Sequence, residues 1–126
     1  MKRVTGLGGI FFKGQDNKKL GEWYKTHLGI PVEDWGGCEF KWRDPINPEK
    51  EGSTIWSIFK NDSTYFAPSS QNYMVNFRVE DLTQLLEILI QEGVTIVGGP
   101  VEEEYGKFAW IMDPDGNKIE LWEPKK

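Results

Sequence analysis

The chain has 126 residues, with 15 Lys and Arg against 20 Asp and Glu, a formal net charge of −5, one His and one Cys. That length makes a single domain, residues 1–126, able to bury a core without a covalent staple. Cys38 alone rules out an internal disulfide framework, and one Cys with one His cannot build a zinc-finger type site.

Charge excludes further classes. Residues 1–66 carry ten basic and nine acidic groups, and residues 67–126 carry five and eleven. Neither half offers the Lys and Arg density that nucleic-acid phosphates demand, so no nucleic-acid partner is expected and the six Trp are not read as a stacking platform. Glycines interrupt the stretch Val4 to Phe12 and no small-residue cleavage site follows, so a signal peptide is not expected. No apolar run approaches a membrane span, and the lone thiol fits a reducing compartment, so the expectation is a cytoplasmic protein.

In chain order, Gly9 to Lys13 reads as a strand and Asp16 as a helix N-cap, because its carboxylate can accept orphan backbone N–H groups. Leu20, Trp23, Tyr24, His27 and Leu28 follow at helical spacing, and Gly29 supplies a left-handed stop. Gly21 inside that helix costs about 1 kcal/mol against Ala. Strands are expected near Val32 to Trp35, Cys38 to Arg43 and Thr54 to Lys60, with Gly36-Gly37 and the loop from Asp44 to Pro48 between them. The same order restarts with a strand from Tyr73 to Val79, then Asp81 as N-cap with Gln84 three residues on. The second helix carries the stripe Leu82, Leu85, Leu86, Leu89 and Ile90 and ends at Gly93. Strands near Thr95 to Val97, Lys107 to Met112 and Lys118 to Glu123 complete the unit, the last two joined by the turn Asp113-Pro114-Asp115-Gly116-Asn117.

A shift of 65 residues lays Phe12 on Phe77, Lys13 on Arg78, Asp16 on Asp81, Leu20 on Leu85 and Val32 on Val97. The chain therefore reads as a duplication: module 1 at about 5–60, a polar linker at about 61–72 and module 2 at about 73–124. Neither copy makes a covered sheet by itself, so the two should combine into one α+β domain.

These paired βαβββ modules, with Trp23-Tyr24-Lys-Thr-His-Leu28-Gly29, Phe77-Arg-Val-Glu-Asp81 and Asp113-Pro-Asp-Gly-Asn-Lys-Ile-Glu120-Leu-Trp122, resemble the vicinal oxygen chelate superfamily. Glyoxalases, extradiol dioxygenases, fosfomycin-resistance enzymes and bleomycin-binding proteins belong to it. The resemblance implies a curved, cup-shaped mixed sheet with helices on its outer face, and a homodimer. It also implies, for catalytic members, a divalent metal held by His or Glu from the first strand of each module and Glu from each last strand. Carried over position by position, those ligands fall on Gly9, Met74, Ile55 and Glu120, and only Glu120 has a suitable side chain. His27, at a helix end, is read as meeting the helix dipole or solvent. The expectation is no metal and no other cofactor, since a catalytic divalent site needs about three protein ligands.

Strand alternation sorts the rest. If Asp113 opposes Asn117, then Ile111 faces Ile119 and Ala109 faces Leu121 on an aliphatic side. Trp110 then faces Glu120, and Phe108 faces Trp122, on the cup side. Parity adds Met74, Asn76 and Arg78 to the cup, together with Gly9, Phe11 and Lys13. The expected ligand-binding residues are thus Phe11, Met74, Asn76, Arg78, Phe108, Trp110, Glu120 and Trp122, an aromatic lining with a few convergent polar groups. The bland alternative has these aromatics fill the cup as a second core with Arg78 and Glu120 paired. The expected function is binding of a small, partly aromatic molecule, as in the bleomycin-binding relatives. The alternative is an enzyme, either metal-dependent or using Glu120 as general base, its pKa raised by desolvation, with Arg78 stabilising an enolate or carboxylate.

Overall fold

The computed structural model describes residues 2–125. Seven strands and two helices follow in the order β1 (Val4–Gly14), α1 (Asn17–Leu28), β2 (Gly37–Arg43), β3 (Glu51–Lys60), β4 (Tyr73–Val79), α2 (Leu82–Gln91), β5 (Thr95–Glu103), β6 (Gly106–Met112) and β7 (Lys118–Pro124). They form one open mixed sheet in the order β2-β3-β1-β4-β7-β6-β5, an α+β architecture with the helices on one side. β1 and β4 meet antiparallel at its centre, and each module's last strand runs parallel to its first.

Module 2 is a complete βαβββ unit, whereas module 1 lacks one strand. Val32 to Trp35, expected as a strand, instead runs as coil into a turn, in which the Glu33 N–H donates to Gly37 O and the Gly36 N–H to Glu33 O. Gly36 has a φ of 98°, which ends extended pairing there and starts β2 two residues before Glu39.

Both helix starts follow their side-chain chemistry. Asp16 accepts from Lys19 N at 3.1 Å and Asp81 from Gln84 N at 3.0 Å. α1 ends where Gly29 turns left-handed, with φ 68°. α2 buries Leu82, Leu85 and Leu86 against Val79, Ala109 and Leu121, with Phe77, Leu89, Ile96, Ile111 and Ile119 around them. Each buried leucine contributes about 2 kcal/mol by area removed from water. Ile90, from the expected stripe, lies exposed. α1 is held differently: Gly21 is its one buried residue, and Tyr24 packs edge-on against Phe12 and Trp56. Trp23, His27 and Leu28, from the expected apolar stripe, are exposed.

On the other face of the sheet Phe11, Phe66 and Met74 form a second buried cluster, packed by Ile55, Phe59 and Trp110. Phe66 belongs to the segment expected to be a solvated linker, so that connection is partly core. The β6–β7 register is the one expected, Trp110 opposite Glu120 and Phe108 opposite Trp122. Its turn is fixed by Asp113, whose carboxylate accepts from Asn117 N and Asn117 Nδ2 at 2.8 Å and from Asp115 N at 3.0 Å. These bonds, led by the Asn117 side chain, hold the Asp113 pKa below its ordinary value.

Candidate functional site

Glu120 is placed by β7 between two neighbours at once, Asn76 on the parallel β4 and Trp110 on the antiparallel β6. Both donate to it: Asn76 Nδ2 to Oε1 at 2.6 Å and Trp110 Nε1 to Oε2 at 2.8 Å. Tyr65, from the segment joining the modules, donates its hydroxyl to Oε2. Glu120 is only 3% exposed, and all three partners donate, so its oxygens serve as acceptors. Burial first, and then the charge of Glu120, push the Tyr65 phenol far above its ordinary pKa, which keeps that hydroxyl a donor. Lys118 anchors the same segment by donating to Tyr65 O at 2.7 Å, and burial lowers its pKa against the opposing pull of Glu120.

Above this floor lies a cavity of about 600 Å³ lined by Gly8, Phe11, Glu33, Trp35, Glu39, Ile55, Asn76, Tyr105, Phe108, Glu120 and Trp122. Gly8 sits in the bulge between Leu7 and Gly9, and a Cβ there would collide with Asn76 Oδ1, so only glycine lets Asn76 reach Glu120. Phe108 and Trp122 stack with planes 3° apart, and Trp122 is oriented by its Nε1 donating to Tyr105 O at 2.9 Å.

Of the residues expected to line the cup, Phe11, Asn76, Phe108, Glu120 and Trp122 come together on its wall. Met74 lies fully buried beneath, with Phe11 and Phe66. Trp110 packs against that cluster and reaches the site through its N–H. Arg78 forms no ion pair with Glu120. Its guanidinium lies between Trp42 and Trp122, 5.5 Å and 4.9 Å from the ring centroids, and lines a neighbouring depression of about 360 Å³. Burial lowers its pKa, with Glu39 opposing. Tyr65 at the floor and Gly8, Glu33, Trp35, Glu39, Ile55 and Tyr105 in the lining were not among the expected binding residues. The adjacent aromatic pair Tyr65-Phe66 in an otherwise polar stretch was the available signal for the first.

Of the positions where the resemblance places metal ligands, only Glu120 carries a carboxylate. In the sheet, Gly9 stands beside Ile55 and Phe11 beside Ser57. Because Phe11 is the duplicate of Asn76, and Asn76 stands beside Glu120, the counterpart of Glu120 by register is Ser57 rather than Ile55. Gly9, Met74, Ile55 and Ser57 are not usual ligands for such an ion, and Glu120 is already engaged by three donors. Among the described residues no three His, Cys, Asp or Glu converge on one point.

Two modules of one plan, meeting through β1 and β4 in a single mixed sheet, make the fold of a known class of proteins. The family model of the Glyoxalase/Bleomycin resistance protein/Dioxygenase superfamily matches residues 14–121, and the chain belongs to that superfamily. Among solved structures the chain is similar to methylmalonyl-CoA epimerase from Mycobacterium tuberculosis, with TM-score 0.68 and 22% identity over 100% of this chain and 92% of that one. It is also similar to a single-residue variant of the Streptomyces coelicolor methylmalonyl-CoA epimerase in complex with 2-nitronate-propionyl-CoA, with TM-score 0.68 and 17% identity over 98% and 99%. A structure described as an NAD-dependent benzaldehyde dehydrogenase from Legionella pneumophila aligns at TM-score 0.59 and 13% identity over 93% and 98%. No curated protein matches the sequence. At these identities the likeness is one of fold, and the fold hosts different chemistries. No helix among the described residues is long and apolar enough to cross a membrane.

Proposed function

We propose that this chain binds a small, partly aromatic molecule in the cup, and that it does so without the divalent metal of its catalytic relatives. One observation carries the reading: Phe11, Ile55, Phe108 and Trp122 wall a cavity of about 600 Å³ whose floor is a buried carboxylate fixed by Tyr65, Asn76 and Trp110. Apolar walls around a few oriented polar groups make a small-molecule site. The donor chemistry of Gly9, Met74 and Ser57 supports the metal-free part. The resemblance also supports a homodimer, and sedimentation at the 14.5 kDa of one chain would overturn that.

The test is calorimetric titration with the neutral probe naphthylmethanol, comparing the natural chain with Trp122→Ala and with Ile55→Trp, which fills the cup. Binding that falls about tenfold in the first and vanishes in the second is expected, the loss of one well-packed aromatic wall being worth that much. Binding that both variants leave unchanged would sink the reading.

A second reading, catalysis, is favoured by one detail: among the described residues Glu120 Oε1 accepts only from Asn76, so it keeps lone-pair capacity that a general base would use. Deuterium uptake by methylmalonyl-CoA in heavy water, abolished by Glu120→Gln while ligand binding persists, would establish it. No uptake would remove methylmalonyl-CoA as a substrate of this site.

A further inference from the structure

The lining of the cup is one-sided in charge. Glu33, Glu39 and Glu120 stand around it, and among the described residues no Lys, Arg or His does. Cations nearby are engaged elsewhere: Arg78 lies between Trp42 and Trp122, where the charge of Glu39 also favours it, Lys118 donates to Tyr65 O and lies over the Tyr65 and Trp110 rings, and Lys13 lies over the Phe66 ring.

Hydrogen bonding at the floor is one-sided too. The hydroxyl of Tyr65, Nδ2 of Asn76 and Nε1 of Trp110 are all spent on Glu120. Acceptors remain, namely the unused capacity of Glu120 and Oδ1 of Asn76, which is buried without a partner. A ligand seated here has to bring the donors itself.

At the mouth, Trp35 and Tyr105 are 52% and 68% exposed, and they reach the cup from different modules. Among the described residues neither ring is paired with another ring or with a cation. Open indole and phenol faces attract cations through the ring quadrupole. Glu33 and Glu39 beside them repel an approaching anion and draw a cation in, an effect that the net charge of −5 extends to longer range.

We propose that the molecule held in the cup is an organic cation, an amine or amidine carried on an apolar or aromatic body. Its charged nitrogen sits at the mouth among Glu33, Glu39 and the rings of Trp35 and Tyr105, and its body lies on Phe11, Ile55, Phe108 and Trp122, where any donor at its inner end meets the acceptors of the floor. The inference rests on the reading of the cup as a small-molecule site and names the charge class of its ligand.

Three probes of similar size test it by calorimetry: naphthylmethylammonium, the neutral naphthylmethanol and the anionic naphthylacetate. The ammonium ion is expected to bind about tenfold tighter than the alcohol, and the carboxylate weakest of the three. Added salt and the double variant Glu33→Gln with Glu39→Gln should both shrink the advantage of the ammonium ion. Those two side chains are exposed and the change is isosteric, so the variant keeps its fold. Equal affinity for ammonium and alcohol, tighter binding of the carboxylate, or an ammonium advantage that the double variant leaves untouched would overturn the charge assignment while the cup stays a binding site. If none of the three binds, the charge assignment and the binding reading fall together.

Discussion

The two modules share a plan and divide the work. Module 2 packs α2 through three buried leucines onto an aliphatic sheet face and carries every side chain of the polar floor except Tyr65: Asn76, Trp110 and Glu120. Module 1 buries one glycine of α1, leans on the Phe12, Tyr24 and Trp56 rings, and offers the cup Gly8, Phe11 and Ile55. One half thus supplies the polar floor and most of the aliphatic core, and the other supplies space, apolar wall and the carboxylates Glu33 and Glu39 at the mouth. A duplicated unit can diverge this way because the parallel pairing of first and last strands survives in both copies, while side chains on the concave face are free to change.

The largest expected contrast is in stability. Leu85→Ala should cost about 2–5 kcal/mol, as for a fully buried leucine, whereas Leu28→Ala on the exposed flank of α1 should stay within about 0.5 kcal/mol in denaturant titrations. Equal losses would break the contrast between the two helices. Next comes the floor. Glu120→Ala strands the buried donors of Asn76 and Trp110 and should cost about 1–3 kcal/mol, with a blue-shifted change in tryptophan emission as Trp110 loses its acceptor. An unchanged melting midpoint would mean that the three-donor arrangement does not hold in solution.

A gain is expected in α1. A Cβ at Gly21 would meet only Val32 Cγ1, at 3.4 Å, and the residue is helical, so Gly21→Ala should stabilise by about 0.5–1 kcal/mol. A loss would mean that α1 sits closer to the sheet than its side chains indicate. The smallest effect belongs to the β6–β7 turn and depends on pH. The Asp113 pKa is held below 3.8 in the folded chain, so its contribution is fully present above that value and disappears as pH falls through the lower folded one. The stability difference between the natural chain and Asp113→Asn should therefore shrink in acid below pH 3.8; a difference independent of pH there would assign the turn's strength to shape alone.

Much of this protein is settled by local rules. Asp16 and Asp81 begin helices because a short carboxylate can accept the orphan N–H three residues on, and Gly29 ends one because it alone adopts a positive φ without strain. The turn at Asp113 to Asn117 fixes the β6–β7 register, and with period-two alternation that register puts Glu120 beside Trp110. What pattern and spacing left open was decided by approach in space. The loss of the strand at Val32 to Trp35 follows from the turn that closes on Gly37 O, and the shift from Ile55 to Ser57 follows from how β3 slides along β1. Arg78 turned from Glu120 to two indoles because Gly6 and Gly52 leave room for the Trp42 ring, where a Cβ at Gly6 would come within 2.8 Å of it. Tyr65 became the third donor on Glu120 through a contact across 55 residues, which no local period encodes. The sequence by itself determined the modules, their caps and the faces of their strands, since those depend on neighbours a few residues apart. Only the tertiary structure decided which polar groups share the floor of the cup and which charges stand at its mouth, because those depend on how the two copies close on each other.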